Sequence, residues 1–201
     1  MNTYRFSEKV SNSINLIYTL IFFPKARLIR RPFYLRGKNA FKYGQGFTCG
    51  YGCRFDLSNG KESSLILGSR VLMGDHVHIV AQSKVIIGDD CLLASNIFIS
   101  DTNHGVLTQA DPQSSPLIPP NSRPLEFKPV TIGKNVWIGE AVSILPGVSI
   151  GDGVILGAHC VVTKDIPANT MAVGAPARVI KIYDFENSSW KDCLEITEVS
   201  P

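Results

Sequence analysis

The stretch Pro129–Lys181, PVTIGKNVWIGEAVSILPGVSIGDGVILGAHCVVTKDIPANTMAVGAPARVIK, decides the fold. Six apolar residues stand six apart in it: Ile132, Ile138, Ile144, Ile150, Leu156 and Val162. A second series follows each rung by four places: Val136, Val142, Val148, Val154, Cys160 and Ile166. Neither a helix nor a flat strand has a period of six. A coil that turns a corner every six residues does, and it returns the same side chain to the same inner wall. Glycine follows four rungs, at 133, 139, 151 and 157, which predicts relaxed backbone near the corners. The expected fold is all-β, a parallel β-helix of hexapeptide repeats.

The ladder returns upstream. Leu67, Met73 and Ile79 are six apart, as are Ile87, Leu93 and Ile99. The step from Ile79 to Ile87 is eight, which predicts a small bulge over Ala81–Val85. Tyr43, Cys49 and Phe55 read as an aromatic first coil, and Asn59–Ser64 as a turn or short excursion. One long interruption, the loop 105–129, holds six prolines, too many for a helix or a central strand. A long loop on a rigid scaffold is usually functional. The expected organisation is an N-terminal cap or arm over 1–40, the β-helix over 41–182 and a polar tail over 183–201, read as a short helix or frayed end.

With 201 residues, 44% of them hydrophobic, the chain suits one domain with a substantial core. A net charge of +3 is too small to argue for a nucleic-acid partner. Four of the five cysteines, 49, 53, 91 and 160, fall on or near rungs, as small buried residues in a reducing, cytoplasmic compartment would. The start is polar and lacks a cleavage-site pattern, so no signal peptide is read. Ile14–Phe23 is apolar but about half the length that spans a bilayer. The cations Lys25, Arg27, Arg30, Arg31 and Arg36 follow it without a matching acidic run. The favoured reading of this region is a segment that caps the open end of the solenoid. The alternative is peripheral membrane contact through residues 14–36, at the inner face of the inner membrane.

Pro129–Lys181 closely resembles the C-terminal half of the hexapeptide acetyltransferases, left-handed β-helix enzymes that use acetyl-CoA. ISDTNHG, Ile99–Gly105, resembles the segment that carries their catalytic histidine. YGQGFTCGYGCRFD from Tyr43, VHIVAQSKVIIG from Val77 and SSPLIPPNSRPLE from Ser114 are similar to the branch that O-acetylates sugars of lipopolysaccharide O-antigen and exopolysaccharides. Thr102 departs from that branch, which often has His there. Gly74 and Gln82 stand where galactoside and maltose acetyltransferases hold acceptor-binding Asn and Asp, so their acceptor specificity does not carry over.

The resemblance implies a homotrimer with its site in the cleft between subunits, and acetyl-CoA as co-substrate without a metal. It implies His104 as the general base: a neutral sugar hydroxyl is a poor nucleophile, and an imidazole can take its proton during attack. Asp101 or Asn103 is the candidate to orient the ring, with an Asx-turn as the bland reading of both. Gly139, Ala158, Thr163, Lys164, Arg178 and Lys181 are implied to line the CoA groove, the small residues admitting the pantetheine arm and the cations meeting phosphates. Trp137 either packs on the acyl end or fills a trimer interface. His78, Asn103, Arg123 and Glu126 are the candidates for the acceptor.

The expected reaction is direct O-acetylation, because no Ser or Cys sits beside His104 as an acyl carrier. The alternatives are transfer to a sugar amine or an antibiotic, and a metal-binding or structural β-helix. The pair His76 and His78 lacks a third ligand at a sensible spacing. GVSIG, 147–151, matches a nucleophile-elbow string, but Ile150 is a ladder rung rather than part of a strand-to-helix turn.

Overall fold

A computed structural model describes residues 5–60, 63–107 and 109–193. The ladder winds around three faces, each a parallel sheet with one strand per coil. The first stacks Leu28–Ile29, Thr48–Cys49, Leu72–Met73, Leu92–Leu93, Trp137–Ile138 and Ile155–Leu156, then Thr170–Val173. The second stacks Tyr34–Arg36, Arg54–Leu57, His78–Ala81, Phe98–Ser100, Ser143–Ile144 and Val161–Val162. The third stacks Phe41–Tyr43, Leu65–Leu67, Val85–Ile87, Val130–Ile132 and Ser149–Ile150. Rungs meet rungs across coils: Leu93 pairs with Ile138 and Ile138 with Leu156, while Ile99 pairs with Ile144 and Ile144 with Val162. All of these are buried, and each such side chain contributes roughly 1.5–3 kcal/mol.

The glycines have a different cause from the one expected. Gly139 does not adopt a left-handed conformation; a Cβ there would lie 2.7 Å from the Ala158 nitrogen and the Leu156 carbonyl oxygen of the next coil. Close stacking of coils is what excludes a side chain. Several left-handed positions fall instead on other residue types, among them His76, Asn96, Ala141 and His159.

Both ends also differ from the sequence reading. The solenoid starts before residue 41, since Leu28–Ile29 pairs with Thr48–Cys49 and Tyr34–Arg36 with Arg54–Asp56. Before it, helix α1 (Phe6–Phe22) lies on the free edge of Leu28–Ile29. The Thr19 hydroxyl accepts the Ile29 N–H at 2.9 Å, and the Asn15 side-chain oxygen accepts the Arg31 N–H at 3.3 Å. An edge that would otherwise offer unpaired groups is thereby covered. Phe23 packs on Phe33 and Tyr43 and closes the aromatic end of the core.

At the other end, the segment from Tyr183 is neither helical nor frayed through Asp192. Arg178–Asp184 and Ser189–Asp192 form an antiparallel hairpin, with the rings of Tyr183 and Trp190 5.2 Å apart and Lys191 paired to Asp184. The last eight residues, 194–201, lie outside the described residues. No helix among the described residues is long and apolar enough to cross a membrane.

Candidate active site

Ile99 is the last inner rung before the interruption, and the chain leaves the second face directly after it. Thr102–His104 forms a short antiparallel hairpin stem with Leu125–Phe127, outside the solenoid sheets. His104 stands opposite Leu125 and is exposed, whereas Asn103 stands opposite Glu126. Neighbouring residues on a strand point to opposite faces, so His104 and Asn103 do not share one. Among the described residues, no side chain hydrogen-bonds the His104 ring.

Asp101 is fully buried, and its carboxylate does not serve His104 within the chain. It accepts the backbone N–H of Gln82 at 2.9 Å, of Ser83 at 2.6 Å and of Lys84 at 2.7 Å, and the Thr102 hydroxyl at 2.7 Å. Those N–H groups belong to the turn that makes the step from Ile79 to Ile87 eight residues long. Asp101 thus ties the bulge of one coil to the root of the His104 stem on the next. The chain rejoins the solenoid beside it, where the Lys128 N–H donates to the Asp101 carbonyl at 2.8 Å.

The loop is braced by its own polar groups. The Ser114 hydroxyl accepts the Val106 N–H at 2.7 Å and donates to Asp111 at 2.6 Å. Arg123 Nε donates to the Ile118 carbonyl at 2.9 Å, and Glu126 pairs with Lys128 at 3.1 Å. The expected acceptor residues Arg123 and Glu126 therefore also hold the loop's shape.

The expected CoA residues fall into separate groups. Gly139 and Ala158 are stacked in successive coils at one edge of the solenoid. Thr163 and Lys164 are exposed and follow the second-face strand Val161–Val162, two strands beyond Phe98–Ser100. Arg178 opens the C-terminal hairpin and donates to the Ala177 carbonyl at 3.1 Å. Lys181 is held by Asp192 at 2.8 Å. Trp137 is 51% exposed on the first face, in an outward column with Leu72, Leu92 and Ile155. His104 leaves from the second face, so a single chain places Trp137 and His104 on different sides.

The sequence reading missed a cluster beside His78. His78 Nε2 lies 3.0 Å from Asp56 Oδ2, and Asp56 also pairs with Arg54 at 2.6 Å and Arg36 at 3.0 Å. Partial burial alone would raise the Asp56 carboxyl, but bonds from His78 and Arg54 and the Arg54 and Arg36 charges hold it below the ordinary carboxylate range. The signal was present: Arg54 and Asp56 alternate on one strand, and the coil offset brings Arg54 opposite His78.

The bacterial transferase hexapeptide family, described as six repeats, matches residues 129–164. WbbJ of Escherichia coli K12, which carries the provisional name of a lipopolysaccharide biosynthesis O-acetyl transferase, is 42% identical over 177 residues, 88% of this chain and 89% of WbbJ. The chain belongs to the hexapeptide-repeat acetyltransferases. The polysialic-acid-specific acetyltransferase NeuO aligns with a TM-score of 0.51 at 26% identity, over 70% of each chain. A point mutant of AntD, an N-acyltransferase from Bacillus cereus solved with dTDP and coenzyme A, shares the fold, with a TM-score of 0.62 at 18% identity over 98% of this chain and 97% of AntD.

In this acetyltransferase the arrangement is an exposed imidazole on a short hairpin stem rooted at Asp101, beside a loop with polar contacts of its own. An exposed imidazole can exchange a proton with a group that approaches from solvent.

Proposed function

We propose that this acetyltransferase moves acetyl from acetyl-CoA to a hydroxyl of a bacterial surface-polysaccharide sugar, with His104 as general base. The observation that carries the reading is the position of His104, exposed on a stem anchored by Asp101 where the loop leaves the solenoid. The hydroxyl oxygen attacks the thioester carbonyl carbon as the imidazole takes its proton. The tetrahedral intermediate collapses, the carbon–sulfur bond breaks, and the proton passes to the departing CoA thiolate. Transfer is direct, and no metal is needed for the step.

Lys164 and Arg178 supply charge for the phosphates of CoA. Among the described residues neither is in an ion pair, unlike Lys181. The outward apolar column of Leu72, Leu92 and Trp137 supports a homotrimer in which Trp137 of one subunit approaches the His104 stem of another. The likeness to WbbJ over most of both chains supports a polysaccharide sugar as acceptor. The test is mass spectrometry of purified surface polysaccharide incubated with acetyl-CoA and the enzyme. An increase of one acetyl group per repeat with the wild type, and none with His104→Ala, supports the reading; no acetylation by the wild type refutes the acceptor class.

A further inference from the structure

Helix α1 is inverted relative to an ordinary surface helix. Its fully covered side chains, Asn15 and Thr19, are polar and hold the solenoid edge. Its outward side carries Val10, Ile14, Leu16, Ile17, Leu20 and Ile21, all 43–66% exposed. At about 100° per residue these fill an arc about 160° wide, interrupted by Lys9 and Ser13. No charged residue occurs from Val10 to Pro24.

Cations surround this face. Lys38 shares a groove with Tyr18 and Phe22 on one flank, and Arg27 shares one with Ser13 and Leu16 on the other. Lys25 and Lys42 lie together beyond the end of the helix, beside Pro24. Among the described residues, none of Lys9, Lys25, Arg27, Lys38 and Lys42 is in an ion pair. The whole chain is polarised the same way. Residues 1–55 contain ten Lys and Arg and a single acidic residue, Glu8, while the remainder contains ten against sixteen.

We propose that the outward face of α1, with the cations around it, docks this protein on the surface of an anionic lipid bilayer. The helix would lie in the plane of the interface, its roughly 25 Å length along the membrane and its apolar arc among the acyl boundary. Lys9 reaches the headgroups with its charged end while its stem stays apolar. A second copy of the helix is the less fitting occupant. A coiled-coil seam is narrower than this arc, and packing copies together would crowd like charges that anionic lipid neutralises.

Docking also fixes a height. The strand before His104 is the third after Tyr34–Arg36 on the second face, so its coil lies about 14 Å along the solenoid from the first, at about 4.8 Å per strand. A lipid-linked glycan would then meet the stem at a set distance from the bilayer. This consequence rests on the acetyl-transfer reading; the docking does not.

The test is co-sedimentation of the full chain with vesicles of phosphatidylcholine alone and of phosphatidylcholine with phosphatidylglycerol. We expect partition into the anionic vesicles that weakens steeply as salt rises. Replacing Lys25, Arg27, Lys38 and Lys42 together with Ala should lower it by nearly three orders of magnitude, about five-fold per cation. Ile17→Glu with Leu20→Glu should abolish it while leaving the melting temperature and oligomeric state unchanged, because both side chains are exposed. Wild-type protein that ignores the vesicles, or binds neutral and anionic ones alike, overturns the proposal. So does a Glu variant that partitions normally, or one that dissociates the oligomer, which would assign the face to a second copy.

Discussion

The coils from Val130 to Ile166 and the excursion from Asp101 to Lys128 are held together by different physics. In the coils, position decides identity: an inner site is apolar, and a glycine appears where the next coil approaches too closely for a side chain. In the excursion, individual polar contacts decide the structure. Asp101 holds a neighbouring turn, Ser114 links Val106 to Asp111, and Arg123 braces Ile118. The coils are redundant, since each rung repeats its neighbour's contribution. The excursion is not, and the reaction is proposed to occur there. Substitutions in the two regions should therefore fail differently, one in stability and the other in turnover.

The largest effect should come from His104→Ala. Loss of a general base lowers turnover by about 10²–10⁴-fold. The side chain is exposed and its ring lacks a hydrogen-bond partner among the described residues, so the melting temperature should hold. Acetyl-CoA affinity, read by calorimetry, should also hold. Turnover near wild type would remove the chemistry from the excursion and break the comparison.

Ile138→Ala probes the coils. Ile138 is fully buried between Leu93 and Leu156, and its truncation should cost about 2–5 kcal/mol of stability. Turnover per folded molecule should change little. Denaturant midpoints and active-site-normalised rates separate the two readouts. A rate loss without a stability loss would mean that the coils serve the reaction directly.

Asp101→Asn lies between the regions and sharpens the boundary. The amide keeps the volume but loses the charge and part of the acceptor capacity for four donors. Charged hydrogen bonds are worth roughly 1.5–3 kcal/mol each, so a stability loss on the order of 3 kcal/mol is expected. If Asp101 acts by anchoring the stem, turnover measured well below the melting temperature should fall only modestly, and the pH profile should keep its midpoint. A rate loss matching His104→Ala at unchanged stability would return Asp101 to the role of orienting the ring.

The same division explains how much was legible in the sequence. The rungs at Ile132 to Val162 announced the solenoid because a six-residue period has one structural cause, and the eight-residue step announced the bulge. The position of His104 at the start of the loop was legible too. The partners of Asp101 were not, because the turn at 82–84 precedes it by a full coil and no local pattern links them. Nor was the orientation of α1: the apolar run suits a cap on the open end and an interfacial face alike, and only the covering of a strand edge by Asn15 and Thr19 turns it outward. The hairpin at Arg178–Asp192 is not legible, because Phe185–Ser188 reads as part of a polar tail rather than as a turn between two strands.

The smallest effect concerns CoA and divides three cations that look alike in sequence. Lys164 and Arg178 follow the ends of coils and are exposed, without an acidic partner among the described residues. Lys181 is on the same hairpin as Arg178 but is occupied by Asp192 at 2.8 Å. If free charge at the end of the coils receives the phosphates, Lys164→Ala and Arg178→Ala should each raise the Michaelis constant for acetyl-CoA several-fold, with turnover nearly unchanged, since phosphate contact stabilises ground and transition states alike. Lys181→Ala should do less, because its charge is already neutralised and an exposed pair of this kind contributes about 0–1 kcal/mol. Raised salt should weaken acetyl-CoA binding in the wild type and flatten the difference between wild type and the Lys164 and Arg178 variants. Equal effects at all three positions would mean that the Lys181–Asp192 pair opens to receive CoA. No effect at Lys164 and Arg178 would move the groove to another edge of the solenoid, while leaving the role of the His104 stem untouched.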